Sequence, residues 1–165
     1  MSGKEMCTAE IKLISCGGEA AEGAAAEEFA AEEIAVRGRM REEEDCVTFF
    51  FRTDEAAFCL TFGRGVRIVR TGSVAYTLQL EPGGTCAACI RTPYGEIAAE
   101  ARVAEQFLER TPERLDYRCS YELGFGGGEG LRREIIFTAR FRKDGGAERN
   151  RGASGSRGGR KGGRA

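Results

Sequence analysis

Histidine is missing from this chain of 165 residues, and that absence excludes more chemistry than any other feature. Without it there is no Ser-His or Cys-His nucleophile pair, no imidazole base near neutral pH and no histidine metal ligand. Tryptophan is absent too, and proline occurs only three times. No run approaches the roughly 18 apolar residues that a membrane helix needs. The opening stretch, MSGKEMCTAEIKLISCGG, has no apolar core of signal-peptide length. Seven cysteines, an odd number, without an export signal read as reduced thiols in a cytoplasm.

Charge is scarce in the sum and uneven along the chain. The formal net charge is -1. From Asp144 onward six basic residues (Arg149, Arg151, Arg157, Arg160, Lys161, Arg164) face only Asp144 and Glu148, so this tail carries +4 and residues 1–143 carry -5. A mildly acidic folded part does not favour a polyanion partner.

What the chain does have is alternation. CTAEIKLIS sets Cys7, Ala9, Ile11 and Leu13 on one face, and EIAVRGRMR opposes Ile34, Val36 and Met40 to Arg37, Arg39 and Arg41. CVTFFFRT groups Val47, Phe49 and Phe51 and leaves Phe50 opposite; AFCLTF groups Phe58, Leu60 and Phe62. VRIVRTG and SVAYTLQLE give Val66, Ile68, Arg70 and Val74, Tyr76, Leu78, Leu80. The later segments give Ile97, Ala99, Ala101, Val103, Phe107; then Leu115, Tyr117, Cys119, Tyr121, Leu123, Phe125; then Leu131, Ile135, Phe137, Ala139, Phe141. A period of two over so many segments means half-buried antiparallel strands. Turn chemistry separates them at GRG (63–65), EPGG (81–84), PYG (93–95), TPER (111–114) and GGGEG (126–130). About ten short strands with short connections form a meander that closes into a barrel or stacks as a sandwich.

Two segments depart from the pattern. GGEAAEGAAAEEFAAEE (17–33) reads equally as a short helix or a solvated loop. The tail from Asp144 has no apolar residue larger than alanine and is expected to be disordered. The domain division is therefore 1–143 as one barrel and 144–165 as an Arg/Gly-rich tail.

Gly38, IVRTGSV, RTPYGEI, LDYRCSYEL and IIFTARF, taken together, resemble the YwiB-like bacterial family, a domain of unknown function. The matching marks are Gly38, Arg70 with Gly72, Thr92-Pro93-Tyr94-Gly95 and Tyr121, spread over roughly 6–141. The resemblance implies a closed up-and-down antiparallel β-barrel of about eight to ten strands, of the lipocalin/calycin type. It attaches no activity. The chain departs from the family pattern in its Ala/Glu insert and its basic tail, and it lacks the Gly-x-Trp signature of true lipocalins.

The motifs that suggest chemistry have plainer readings. In Cys86-Ala87-Ala88-Cys89 the next residues, IRTPYG, cannot begin a helix, and on a strand positions i and i+3 diverge. With no histidine and scattered cysteines, structural thiols are favoured over zinc or redox chemistry. Thr92-Pro93-Tyr94-Gly95 reads as a turn, with Pro93 fixing φ and Gly95 allowing φ > 0. FGRGVRIVRTG leads from strand to strand, not into the helix of a phosphate loop. Glu96, Glu100, Glu122 and Glu134 fall on polar faces. Arg70 and Arg133 instead share the parity of apolar neighbours, so each needs a partner, a route to solvent, or an anionic head group.

These readings lead to a non-enzymatic barrel that binds a small, partly apolar or amphipathic ligand. The candidate residues, at the mouth or inside, are Arg70, Tyr76, Arg91, Tyr94, Tyr117, Tyr121 and Arg133. Gly38, Gly72, Thr92, Pro93 and Gly95 are structural. No catalytic constellation, metal site or cofactor motif stands out, and no membrane partner is expected. The alternative is an interaction module whose tail, 144–165, contacts RNA by charge and flexibility. A homodimer is left open.

Overall fold

The alternating segments become strands in a computed structural model, which describes residues 6–17, 32–126 and 130–142. They are β1 Met6–Gly17, β2 Glu32–Glu42, β3 Val47–Arg52, β4 Ala56–Phe62, β5 Val66–Gly72, β6 Ala75–Leu80, β7 Thr85–Thr92, β8 Gly95–Thr111, β9 Arg114–Gly124 and β10 Leu131–Phe141. Each strand pairs antiparallel with its chain neighbours, and β1 pairs with β10 to close the barrel. The expected up-and-down barrel is thus found, at ten strands. Of the Ala/Glu-rich segment, Gly17 ends β1 and Glu32 and Glu33 open β2; the rest, with the tail from Asp144, lies outside the described residues.

Alternation decides which side chains enter the lumen. One side is filled by Phe49, Phe51, Phe58, Phe62, Phe137 and Phe141, all buried. Phe137 is the hub, with ring centroids 5.2 Å from Phe49 and from Phe62. The facing side is lined by Ala88, Ala99 and Ala101, so large and small side chains interdigitate. Gly38, at an inward position of β2, marks the closest approach. A Cβ there would stand 2.5 Å from the Phe50 carbonyl oxygen and 2.9 Å from Phe51 Cβ, so no side chain fits. Gly72 is excluded from substitution in the same way, 2.5 Å from the Glu55 oxygen.

The turns owe their shape to local polar contacts. In Thr92-Pro93-Tyr94-Gly95 the Tyr94 amide donates to Thr92 Oγ1 at 3.0 Å, and that hydroxyl donates to the Gly95 carbonyl at 3.0 Å. Gly95 has φ 132°, a region that side chains rarely tolerate. Thr111-Pro112-Glu113-Arg114 repeats the device: the Glu113 amide donates to Thr111 Oγ1 at 3.3 Å.

One strand breaks the expected parity. The β8–β9 register shifts between Val103 and Glu105, a β-bulge at Ala104. Phe107, expected on the inner face, therefore points outward and is 55% exposed, while Gln106 turns inward opposite Cys119. Phe125, also assigned inward, lies past the end of β9 and is exposed. Beyond the bulge β8 outruns β7, whose ladder with it ends at Thr85↔Arg102, so this part of β8 is paired along one edge only.

The two rims differ. At the rim holding the β2–β3, β4–β5, β6–β7 and β8–β9 turns, Arg110 donates to Glu42 Oε2 at 2.7 Å, and both residues occupy inward positions, so the pair spans that opening. The other rim holds the β3–β4, β5–β6 and β7–β8 turns and carries the polar cluster described below.

The outer wall is also uneven. Its outward positions on β1, β2, β8, β9 and β10 are dense in charge, with Arg37, Arg39 and Arg41 on β2 and Glu96, Glu100, Glu105 and Glu109 on β8. A cleft between β1, β2, β9 and β10 is lined by Arg37, Arg114, Arg140 and Arg142 with Glu10 and Glu113. On β4 to β7 the outward residues are Ala57, Cys59, Thr61; Arg67, Val69, Thr71; Ala75, Thr77, Gln79; and Thr85, Ala87, Cys89, Arg91. Only Arg67 and Arg91 among them are charged.

Candidate functional site

Four of the seven candidate residues converge at the rim that the Arg110–Glu42 pair leaves open. Arg70, two residues before Gly72 on the same face of β5, and Tyr76 face each other across the β5–β6 ladder, and Tyr121 faces Arg133 across β9–β10. All four occupy inward positions, as the parity of Arg70 and Arg133 requires.

Arg70 is held from three sides. Its Nη1 donates to the Val74 carbonyl at 2.9 Å, its guanidinium lies over the Phe58 ring 5.5 Å from the centroid, and Glu32 Oε2 stands 4.0 Å from Nη2. The side chain is only 14% exposed, so it packs along the wall instead of extending into solvent. Glu32, at the start of β2, is over half exposed and offers a screened, distant partner. Arg133 donates from Nη2 to Ser15 Oγ at 2.9 Å and hydrogen-bonds the Tyr121 hydroxyl.

The phenols respond to this setting. Burial pushes Tyr121 up to about 12, and the nearby Tyr76 adds to the rise while Arg133 opposes it. Tyr76 is raised as well, chiefly by burial, with Arg70 and then Arg133 pulling the other way. Both hydroxyls therefore stay protonated and can donate. Two guanidinium groups and two phenols meet at one rim, an arrangement rich in donors and suited to an anion. Next to Tyr76 the same inward row continues through Ile90 to Ile97, which is 43% exposed, so apolar surface adjoins the donors.

The remaining candidates are elsewhere. Tyr94 is 97% exposed at the tip of its turn, and Arg91 points outward with Nε 3.4 Å from Glu96 Oε2. Tyr117 lies deep in the lumen, where its hydroxyl accepts from Gln106 Nε2 at 2.7 Å. The same Gln106 nitrogen reaches the Leu80 carbonyl at 3.3 Å. The β6–β7 ladder comprises only Ala75↔Arg91, Tyr76↔Ile90 and Thr77↔Cys89, so Gln106 supplies that carbonyl with a donor where the ladder has ended. Burial raises Tyr117 well above the ordinary phenol range, helped by a hydrogen bond with Cys119, and raises the Cys119 thiol. Sequence reasoning did not single out Gln106, because strict alternation assigns it to the outside.

The CxxC cysteines diverge as expected on a strand. Cys86 points inward opposite Ala101, and Cys89 points outward with its thiol 3.7 Å from Glu96 Oε1. Cys46 and Cys59 are raised, each mainly by burial, so neither is an activated thiol. Among the described residues no group of three or more Cys, Asp or Glu could hold a metal ion, and no helix is long and apolar enough to cross a membrane.

No family model and no curated protein matches the sequence. Among solved structures, the crystal structure of ywiB protein from Bacillus subtilis superposes with a TM-score of 0.67, covering 84% of this chain and 95% of that chain at 12% identity. At that identity the likeness concerns the fold alone, and the fold of this chain is a YwiB-like β-barrel.

Proposed function

We propose that the protein binds a small ligand with an anionic head and an apolar body at the open rim, and that it is not an enzyme. The observation that carries this reading is the convergence of Arg70, Tyr76, Tyr121 and Arg133 on inward positions of four strands. The head would take hydrogen bonds from these groups, and the body would cover Ile90 and Ile97. The Phe-filled side of the lumen limits how deep a ligand can reach. A lipocalin/calycin kinship accords with a barrel that takes a ligand at its open end. Seven free thiols support a reducing, cytoplasmic setting. The alternative, RNA contact by the tail 144–165, rests on the composition of that tail; filter binding before and after its deletion tests it.

Fluorescence titration with two probes tests the rim. Anilinonaphthalene sulfonate carries the anion, and N-phenylnaphthylamine has a similar body without it. Saturable binding of the sulfonate, weakened about tenfold or more by Arg70→Gln and left alone by Arg91→Gln, is the expected result. Equal binding of both probes, or no effect of Arg70→Gln in a variant that melts like the parent, overturns the reading.

A further inference from the structure

The balance of charge at the open rim decides which anion suits it, an inference that rests on reading that rim as a ligand site. Glu32 has the inward parity of Ile34 and stands directly opposite Ser15 across β1–β2, and Ser15 in turn accepts a hydrogen bond from Arg133. Glu32 Oε2 also lies 4.0 Å from Arg70 Nη2. That is too far for a hydrogen bond and near enough for the carboxylate charge to act. Apart from burial, the groups that act on the Tyr76 hydroxyl are Arg70 and Arg133, which oppose its raised pKa, and Glu32, which adds to it. Two guanidinium charges less one carboxylate leave this cluster at +1. Each guanidinium also has part of its donor fork engaged, Arg70 Nη1 at the Val74 carbonyl and Arg133 Nη2 at Ser15 Oγ.

We propose that the rim selects a monoanionic, carboxylate-type head over a dianionic, phosphate-type one, and that Glu32 is the residue that sets this selectivity. A monoanion neutralises the cluster. A dianion overshoots it, leaves a charge uncompensated and loses more hydration on entering. A carboxylate presents only two oxygens, which suits guanidinium groups whose forks are partly engaged. Glu32 acts on the two heads unequally. Coulomb repulsion scales with the charge of the ligand, so whatever Glu32 costs a monoanion in free energy it costs a dianion twice, which is the square in affinity. The Glu32 side chain is over half exposed, so screening holds that cost to about threefold for a monoanion and about tenfold for a dianion. Glu33, the next residue, is turned outward and its carboxylate is already met by Lys12 Nζ at 3.3 Å.

Isothermal titration calorimetry of the full chain with octanoate and with octyl phosphate, at low salt and about pH 8 where the phosphate is a dianion, tests this. The parent is expected to bind octanoate the more tightly. Glu32→Gln is expected to tighten octanoate about threefold and octyl phosphate about tenfold, and about 0.5 M salt is expected to remove most of that difference. Glu33→Gln is expected to leave the ratio of the two affinities unchanged. A Glu32→Gln variant that changes both affinities by the same factor overturns the proposal, because Glu32 then only holds Arg70 in place. So does a parent that prefers the phosphate. Octanoate that fails to bind, or that binds the parent and Arg70→Gln equally, overturns the reading of the rim itself and the selectivity with it.

Discussion

Replacing Gly38 by alanine isolates the cost of a single methyl group. Away from special backbone conformations, Gly→Ala usually stabilises a protein by about 0.4–1 kcal/mol, because the unfolded chain loses freedom. Gly38 has no positive φ, so the alanine backbone is acceptable there. Its new Cβ, however, would lie 2.5 Å from the Phe50 oxygen and 2.9 Å from Phe51 Cβ, besides 2.8 Å from the more yielding Ile11 Cδ1. The first two atoms belong to the backbone or stand one bond from it, so β2 and β3 must separate. Overpacking of this kind costs about 1–3 kcal/mol, and the rigid contacts argue for the upper end. In a domain of this size about 3 kcal/mol lowers the melting temperature by roughly 6–12 °C. Gly124 is the control: a Cβ there meets nothing within 4 Å, so Gly124→Ala is expected to be neutral or slightly stabilising. Urea unfolding, followed by circular dichroism and tyrosine fluorescence, reads both. A Gly38→Ala midpoint equal to or above that of the parent would refute the close approach of β2 and β3.

Two further outcomes follow from the interior. Gln106→Leu removes the donor shared by the Tyr117 hydroxyl and the Leu80 carbonyl and is expected to cost about 2–4 kcal/mol, measured by the same unfolding; a loss below about 0.5 kcal/mol would mean that water replaces it. Tyr121 binds its proton more tightly folded than unfolded, so its stabilising contribution is complete below the ordinary phenol value near 10 and is lost as pH rises through about 12. Tyr76, raised in the same direction, adds to that loss. Stability measured between pH 9 and pH 12 should therefore fall steeply, and less so in Tyr121→Phe; an identical slope in that variant would contradict the burial of the phenol.

The barrel was legible because its core obeys a period of two almost everywhere. Arg70 betrayed itself in the same way, as a charge on the parity of Val66 and Ile68, and Thr92-Pro93-Tyr94-Gly95 announced its turn through residues whose backbone preferences are local. What stayed hidden depends on events that alternation does not encode. The bulge at Ala104 reverses parity once, and with it the sides of Gln106 and Phe107. The Arg110–Glu42 pair joins strands far apart in the chain, and so does the meeting of Arg70 and Tyr76 with Tyr121 and Arg133 at one rim. Pairwise closeness of that kind is a product of closure, and no local stretch carries it.

Closure also shapes how such a chain must fold. Nine of the ten ladders join strands adjacent in sequence and can zip as successive hairpins, eight of them across connections of six residues or fewer. The tenth, between β1 and β10, brings Ala9 opposite Phe141, with nearly the whole barrel between them. In a free chain, drawing together ends more than a hundred residues apart would cost about 4 kcal/mol of entropy. Until that seam forms, β1 and β10 present two open edges to any other chain. The contacts that seal it, Leu13 beside Phe137 and Ile11 beside Ala139, thus cover two edges open to other chains as well as adding to the stability of the finished barrel.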